Sequence, residues 1–187
     1  MLKIRFSFIN IVILINFIVF VLTFLMPELK VVLSLNPYSF VMYYNGFFTY
    51  AFAHSDFMHF AFNMVALYGF GNRLESFVGS VKIAIVYILS VVFVGIVCAF
   101  VMYVKIFVLN LDFYLMLGAS GSVCALLGYF CSIDRAYFKE YLVAILVMSF
   151  VPMFIGINIA YDAHIVGFFF GYFLSFIKFF KIKNTIL

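Results

Sequence analysis

Six apolar runs divide this chain, each bounded by a short polar or glycine-bearing break. They fall at about Phe6 to Met26, Phe57 to Phe70, Val81 to Val104, Met116 to Ile133, Tyr141 to Ile157 and Ala163 to Phe180. Coiled as helices, runs of roughly 20 apolar residues match the ~30 Å hydrocarbon layer of a bilayer. The pattern therefore predicts six membrane-spanning helices. The first run follows Lys3 and Arg5, is too long for the h-region of a signal peptide and lacks a small-x-small cleavage site. It reads as a retained span. Asn10 and Asn16 within it are expected to face other helices. Pro27 to Ala53 departs from the pattern. Pro27, Glu28, Lys30 and Pro37 interrupt it, and Tyr38, Phe40, Tyr43, Tyr44, Phe47, Phe48, Tyr50 and Phe52 then crowd around Asn45-Gly46. Tyrosine favours the headgroup level, with its ring in lipid and its hydroxyl wet. A long loop of short helical pieces, half-sunk in the outer leaflet, is expected there. Gly69 to Glu75 reads as a polar turn, Lys105 to Leu115 as a loop with Asn110 and Asp112, and Asp134-Arg135 as the end of the fourth span. Pro152 and Gly156 should loosen the far end of the fifth.

Composition sharpens this picture. Of the 187 residues, 68% are hydrophobic and 10% charged. Soluble domains run near half apolar and about a quarter charged, so this is the composition of an integral membrane protein. Too few polar residues remain to cover a soluble surface, and residues 1–187 read as a single six-span domain. The net charge of +4 is no nucleic-acid signal, because the basic residues sit at the ends of apolar runs. With the N-terminus cytoplasmic, Lys3, Arg5, Arg73, Lys82, Arg135, Lys139, Lys178, Lys181 and Lys183 lie inside, and Lys30 and Lys105 outside. That bias supports the span count and puts both termini in the cytoplasm. Cys98, Cys124 and Cys131 lie in apolar segments without metal-ligand spacing, and read as small buried hydrophobes.

The orientation has a chemical consequence. Spans two, four and six all enter from the outer side, so His54, His59, Ser120 and His164 fall in one layer. Polar groups at one depth in a membrane point to function. Ser120 lies between Gly118 and Gly121 at the start of span four. Free backbone N–H groups at a helix N-terminus favour negative charge, which suits an oxyanion beside a serine. A serine hydroxyl needs a base to become a nucleophile. The glycines also fit plain packing, because Gly121, Ala125 and Gly128 make a small-residue stripe. His164 heads span six above Gly167 and Gly171, a Gly-x-x-x-Gly face expected to meet that stripe and bring Ser120 within reach of the imidazole. Otherwise His164 is a ring satisfied at the headgroup boundary. Asp162 is expected to cap the helix rather than join the pair. His59 and Asn63, spaced i, i+4, share one face of span two and can donate to an oxyanion or tie helices together. His54 reads as a tie between loop and helix.

These residues resemble those of the rhomboid intramembrane serine proteases of the basic six-span type. The likeness covers Asn45 to Gly171 and rests on His54-x4-His59-x3-Asn63, Gly118-x-Ser120-Gly121 and Ala163-His164-x2-Gly167-x3-Gly171. It implies a Ser120 nucleophile and a His164 general base without an acid. It also implies an oxyanion site from His59, Asn63 and the Ser120 N–H, and matches the Gly69 to Gly79 connection with Arg73 and Glu75. The expected fold is all-α, a six-transmembrane-helix bundle with a long membrane-embedded loop between helices 1 and 2. The expected activity is hydrolysis of a peptide bond in the transmembrane segment of another membrane protein, on the non-cytoplasmic side of the lipid bilayer. No metal, cofactor or nucleic acid is expected. Two positions depart from the family. Asn45-Gly46 stands where Trp-Arg is usual, and Cys124 where an aromatic usually packs on the histidine. The rival readings are a catalytically silent rhomboid-like protein that binds membrane clients, a metal-dependent hydrolase, which lacks a His-Glu-x-x-His pair, and a transporter, which lacks a mid-span ionisable residue.

Overall fold

A computed structural model describes residues 7–39, 42, 44–111, 115–131, 138–154 and 160–180. Helix α1 (Phe8–Leu25) starts at Ser7, whose Oγ accepts from the Asn10 N–H. Its outer face is apolar, with Leu14, Phe17, Ile18, Phe24 and Leu25 exposed. A contiguous face of this kind is tolerated in lipid and penalised in water. The inner face carries Asn16, fully buried, whose Nδ2 donates to the Val12 carbonyl at 2.8 Å. Asn10 is exposed, and its Oδ1 accepts from Asn72 Nδ2 at 3.0 Å, a contact with the segment that follows the second apolar run.

The aromatic-rich segment folds into short pieces, α2 (Leu29–Leu33), α3 (Gly46–Thr49) and a 3-10 turn at Tyr50–Phe52. Asn45 Nδ2 ties α3 to the Val32 carbonyl at 2.8 Å, and Thr49 Oγ1 donates to the Leu33 carbonyl at 2.9 Å. Tyr50 differs from the expected wet tyrosine. It is 1% exposed, and its hydroxyl donates to the Val91 carbonyl at 3.0 Å inside the bundle. Burying the ring beside Val91 outweighs hydration, because a backbone carbonyl replaces the water partner.

The helical segment at the expected second span is longer than its hydropathy suggests. Helix α4 (Phe57–Ala66) passes through a π-helical turn at Leu67–Gly71 into α5 (Asn72–Val78) without a break. The expected turn at Gly69 to Glu75 is therefore helical, and the chain reverses at Gly79. The polar residues there are explained by Glu75, which caps α1. Its carboxylate accepts from the Phe8 and Ile9 N–H groups at 2.8 and 3.0 Å and from Ser7 Oγ at 2.7 Å.

Helix α6 (Ser80–Phe107) runs through the middle, three residues past the expected Val104 end. Ile83, Val86, Tyr87, Val91, Val94, Cys98, Ala99 and Met102 are its buried face. Helices α7 (Ser120–Phe130), α8 (Phe138–Phe154) and α9 (Tyr161–Leu174) complete the bundle. Only the later part of the expected fourth span is helical. At 11 residues α7 is about 16 Å long, and Met116 to Ala119 approach it in non-helical form. Leu35 and Met116 exchange backbone hydrogen bonds of 3.0 Å, which hold that approach against the loop. Among the described residues, α1 and α6 are the helices long and apolar enough to cross a bilayer. The basic residues Lys3, Arg5, Arg135, Lys181 and Lys183 lie outside the described residues, as do Phe40, Tyr43, Asp112, Asp134 and Gly156.

Helices α7 and α9 meet backbone to backbone, which is what the small-residue stripes predict. A Cβ at Gly167 would overlap the Gly121 carbonyl, one at Gly171 the Ala125 carbonyl, and one at Gly128 the Phe168 carbonyl. With lipid as apolar as the side chains, association of such helices rests on close van der Waals contact.

Two outcomes follow. Gly167→Val should force α7 and α9 apart and lower the midpoint of thermal unfolding in detergent, whereas Phe173→Leu, on the exposed face of α9, should change it little. Glu75→Ala should cost about 2–3 kcal/mol by leaving the first turn of α1 unsatisfied, measured by denaturant titration in micelles.

Candidate active site

Ser120 is the first residue of α7. It is presented there by Gly118, whose φ of 119° lies in the region side chains avoid. The Gly118 N–H donates to the Tyr50 carbonyl at 2.9 Å, so the loop also fixes the turn. The first N–H groups of α7 have no partner within the helix. They leave unpaired donors at the end of the helix that carries the serine.

His164 lies in the first turn of α9. Across the glycine contact its Nε2 stands 2.8 Å from Ser120 Oγ. The ring is buried, with the residue 7% exposed. Its other nitrogen, Nδ1, stands 2.9 Å from Ser149 Oγ on α8. Sequence reasoning missed Ser149. The available signal was a lone hydroxyl in the apolar run Met148-Ser149-Phe150, with no spacing that links it to His164.

Asp162 does not cap α9 by its side chain as expected, because the cap position is Ala160. Its Oδ1 accepts from the Ala163 N–H at 3.0 Å, and its Oδ2 pairs with Lys105 Nζ at 3.1 Å. Lys105, at the end of α6, engages that carboxylate. The hydrogen-bond partners of the His164 ring among the described residues are the Ser120 and Ser149 hydroxyls.

The third contributor is α4. Asp56 caps it, with Oδ1 accepting from the His59 N–H at 2.9 Å. That N–H, and next the Ser55 hydroxyl, hold the Asp56 carboxyl below its ordinary range. Asn63 Nδ2 donates to the His59 carbonyl at 2.8 Å, consistent with one shared face. A Cβ at Gly118 would sit 2.7 Å from His59 Nε2 and 3.8 Å from Ser120 Oγ. Glycine therefore leaves the gap in which the His59 ring edge approaches the serine. His59 Nδ1 stands 3.0 Å from Ser55 Oγ, which also lies 2.7 Å from Asp56 Oδ2. Ser55 and Asp56 are exposed, so the hydroxyl can turn to either partner. His54 is fully buried, edge-on to His59 at 5.2 Å and to Phe60 at 5.6 Å between ring centroids. It packs the loop onto α4. Burial, and next the His59 ring, push its imidazole down to about 3.

Cys98, Cys124 and Cys131 are free and buried. Cys124 packs in an apolar cluster with Cys131, Ile145 and Phe168, one turn below Ser120. Among the described residues no three His, Cys, Asp or Glu side chains are grouped as metal ligands.

A hydroxyl and an imidazole in direct contact, held by glycine-packed apolar helices, define a helical bundle with a polar pair inside it. The rhomboid-domain family model matches residues 42–181, and the chain belongs to the rhomboid family, whose members are in general serine intramembrane proteases. No curated protein matches the chain.

Gly118→Ala should combine backbone strain with a clash against His59, and so perturb the serine without unfolding the bundle. The check is a retained unfolding midpoint with lowered reactivity of Ser120. For His54, the neutral ring is favoured in the fold, so its contribution is complete above the unfolded value of 6.5 and is lost as pH falls towards about 3. Stability in detergent should therefore fall over that acid range, and less steeply in His54→Phe.

Proposed function

We propose that the chain is a rhomboid serine endopeptidase that cleaves transmembrane segments of other membrane proteins near the outer face of the bilayer. The observation that carries this reading is the 2.8 Å contact between Ser120 Oγ and His164 Nε2. His164 takes the Ser120 proton while Oγ attacks the scissile carbonyl carbon. The imidazolium then returns that proton to the departing amine. Water hydrolyses the acyl-enzyme by the same steps in reverse.

Negative charge on the carbonyl oxygen is met by the Ser120 N–H, by Asn63 Nδ2 and by His59. The Asn63 amide keeps one N–H free after bonding the His59 carbonyl. His59 offers Nε2–H when the Ser55 hydroxyl turns to Nδ1. Each well-placed donor contributes about 3 kcal/mol of transition-state stabilisation. His54 supports His59, and Gly118, Gly121, Gly167 and Gly171 set the approach of the helices.

The membrane reading has the same basis as the sequence argument. Residues 1–187 form one six-span domain with cytoplasmic termini, and the site opens to the non-cytoplasmic side of the cell membrane. Substrates have segments that unwind readily, since a hydrogen-bonded helix hides its carbonyls. No metal or cofactor takes part.

The purified protein should cut a labelled transmembrane substrate in micelles. Ser120→Ala and His164→Ala should each abolish cutting, a loss of at least about a thousandfold. Equal rates for Ser120→Ala and the parent would refute the mechanism. A folded protein that cuts no substrate would be a rhomboid-like protein that binds membrane clients.

A further inference from the structure

Ser149 gives the histidine its direction. Its Oγ lies 2.6 Å from the Ile145 carbonyl oxygen and 2.9 Å from His164 Nδ1. A carbonyl oxygen has no hydrogen to give, so the contact with Ile145 uses the single hydroxyl proton of Ser149. Towards His164 the same oxygen can only accept. Nδ1 must then carry the ring proton, which leaves Nε2 with a lone pair facing Ser120 Oγ at 2.8 Å. Ser149 is fully buried, so no water competes for its proton. The Ser55 hydroxyl beside His59 is exposed and shared with Asp56, and imposes no such choice.

We propose that Ser149 is a positioning residue that fixes His164 in the tautomer able to act as a base. It supplies from α8 the orienting contact that an acid supplies in other serine hydrolases. The inference deepens the proposed protease reading and rests on it for its kinetic part. On attack, Nε2 gains the Ser120 proton as the bond from Oγ to carbon forms. The resulting cation keeps its Nδ1–H on Ser149 Oγ. Nε2 then gives its proton to the amine nitrogen as the C–N bond breaks. Ser149 neither gains nor loses a proton, and no carboxylate is needed. Because Ser149 sits on α8, a shift of that helix would also release the ring.

The test is NMR of the ring nitrogens in full-length protein labelled at histidine, in micelles, with the His164 signals assigned by their loss in His164→Gln. A nitrogen bearing hydrogen is distinguished from one bearing a lone pair. The expected result is a protonated Nδ1 and a bare Nε2 in the parent, and a mixture of tautomers in Ser149→Ala. In substrate cleavage, Ser149→Ala should lower kcat by roughly 10- to 100-fold, less than loss of a charged orienting partner costs a catalytic triad, with KM unchanged. Ser149→Thr, which keeps the hydroxyl, should restore most of kcat. A protonated Nε2 in the parent, or a tautomer and kcat unchanged in Ser149→Ala, would overturn the proposal. If the parent cuts nothing, the protease reading fails, and the nitrogen signals still decide the role of Ser149.

Discussion

The contact between the backbones of α7 and α9 is the constraint on which the rest depends. Carbonyls of each helix occupy space that a side chain on the other would need. The two helices are therefore held at a spacing that side-chain packing alone would not reach. That spacing puts a residue at the head of α7 against one in the first turn of α9, and Ser120 meets His164. The polar contact is a consequence of apolar packing beneath it. Its distance is fixed by parts of the chain that carry no reactive group.

The surroundings then decide what the pair can do. Proton positions among buried groups are settled by the few partners present, since a low dielectric penalises a polar group left unpaired. The imidazole lies between two hydroxyls, one able to give a proton and one already committed to a carbonyl. The Asp162 carboxylate, two residues from His164, is engaged by Lys105. The long loop contributes by holding the approach to α7 through Leu35, Met116 and Tyr50. Helix α4 completes the layer with the His59 edge over Gly118.

Much of this was legible in the sequence because it depends on local spacing. Glycines four apart predicted the meeting of α7 and α9, and the i, i+4 spacing of His59 and Asn63 predicted one face. Hydropathy found the apolar runs but misjudged where helices begin and end. It read Gly69 to Glu75 as a turn, because polarity marks an end only when the polar group faces solvent. Glu75 instead caps another helix. It also extended span four back to Met116, where the chain is apolar yet pairs with a loop. Asp162 and Ser149 show the same limit. Their partners, Lys105 and His164, are set by tertiary contact, to which no spacing along the chain corresponds.

The most direct measurement is labelling of the folded protein with a fluorophosphonate, followed by mass spectrometry of the modified peptide. The account predicts one adduct, on Ser120, that disappears in His164→Gln while the bundle stays folded. An adduct that persists in that variant, or no adduct on Ser120 in folded parent protein, would contradict it.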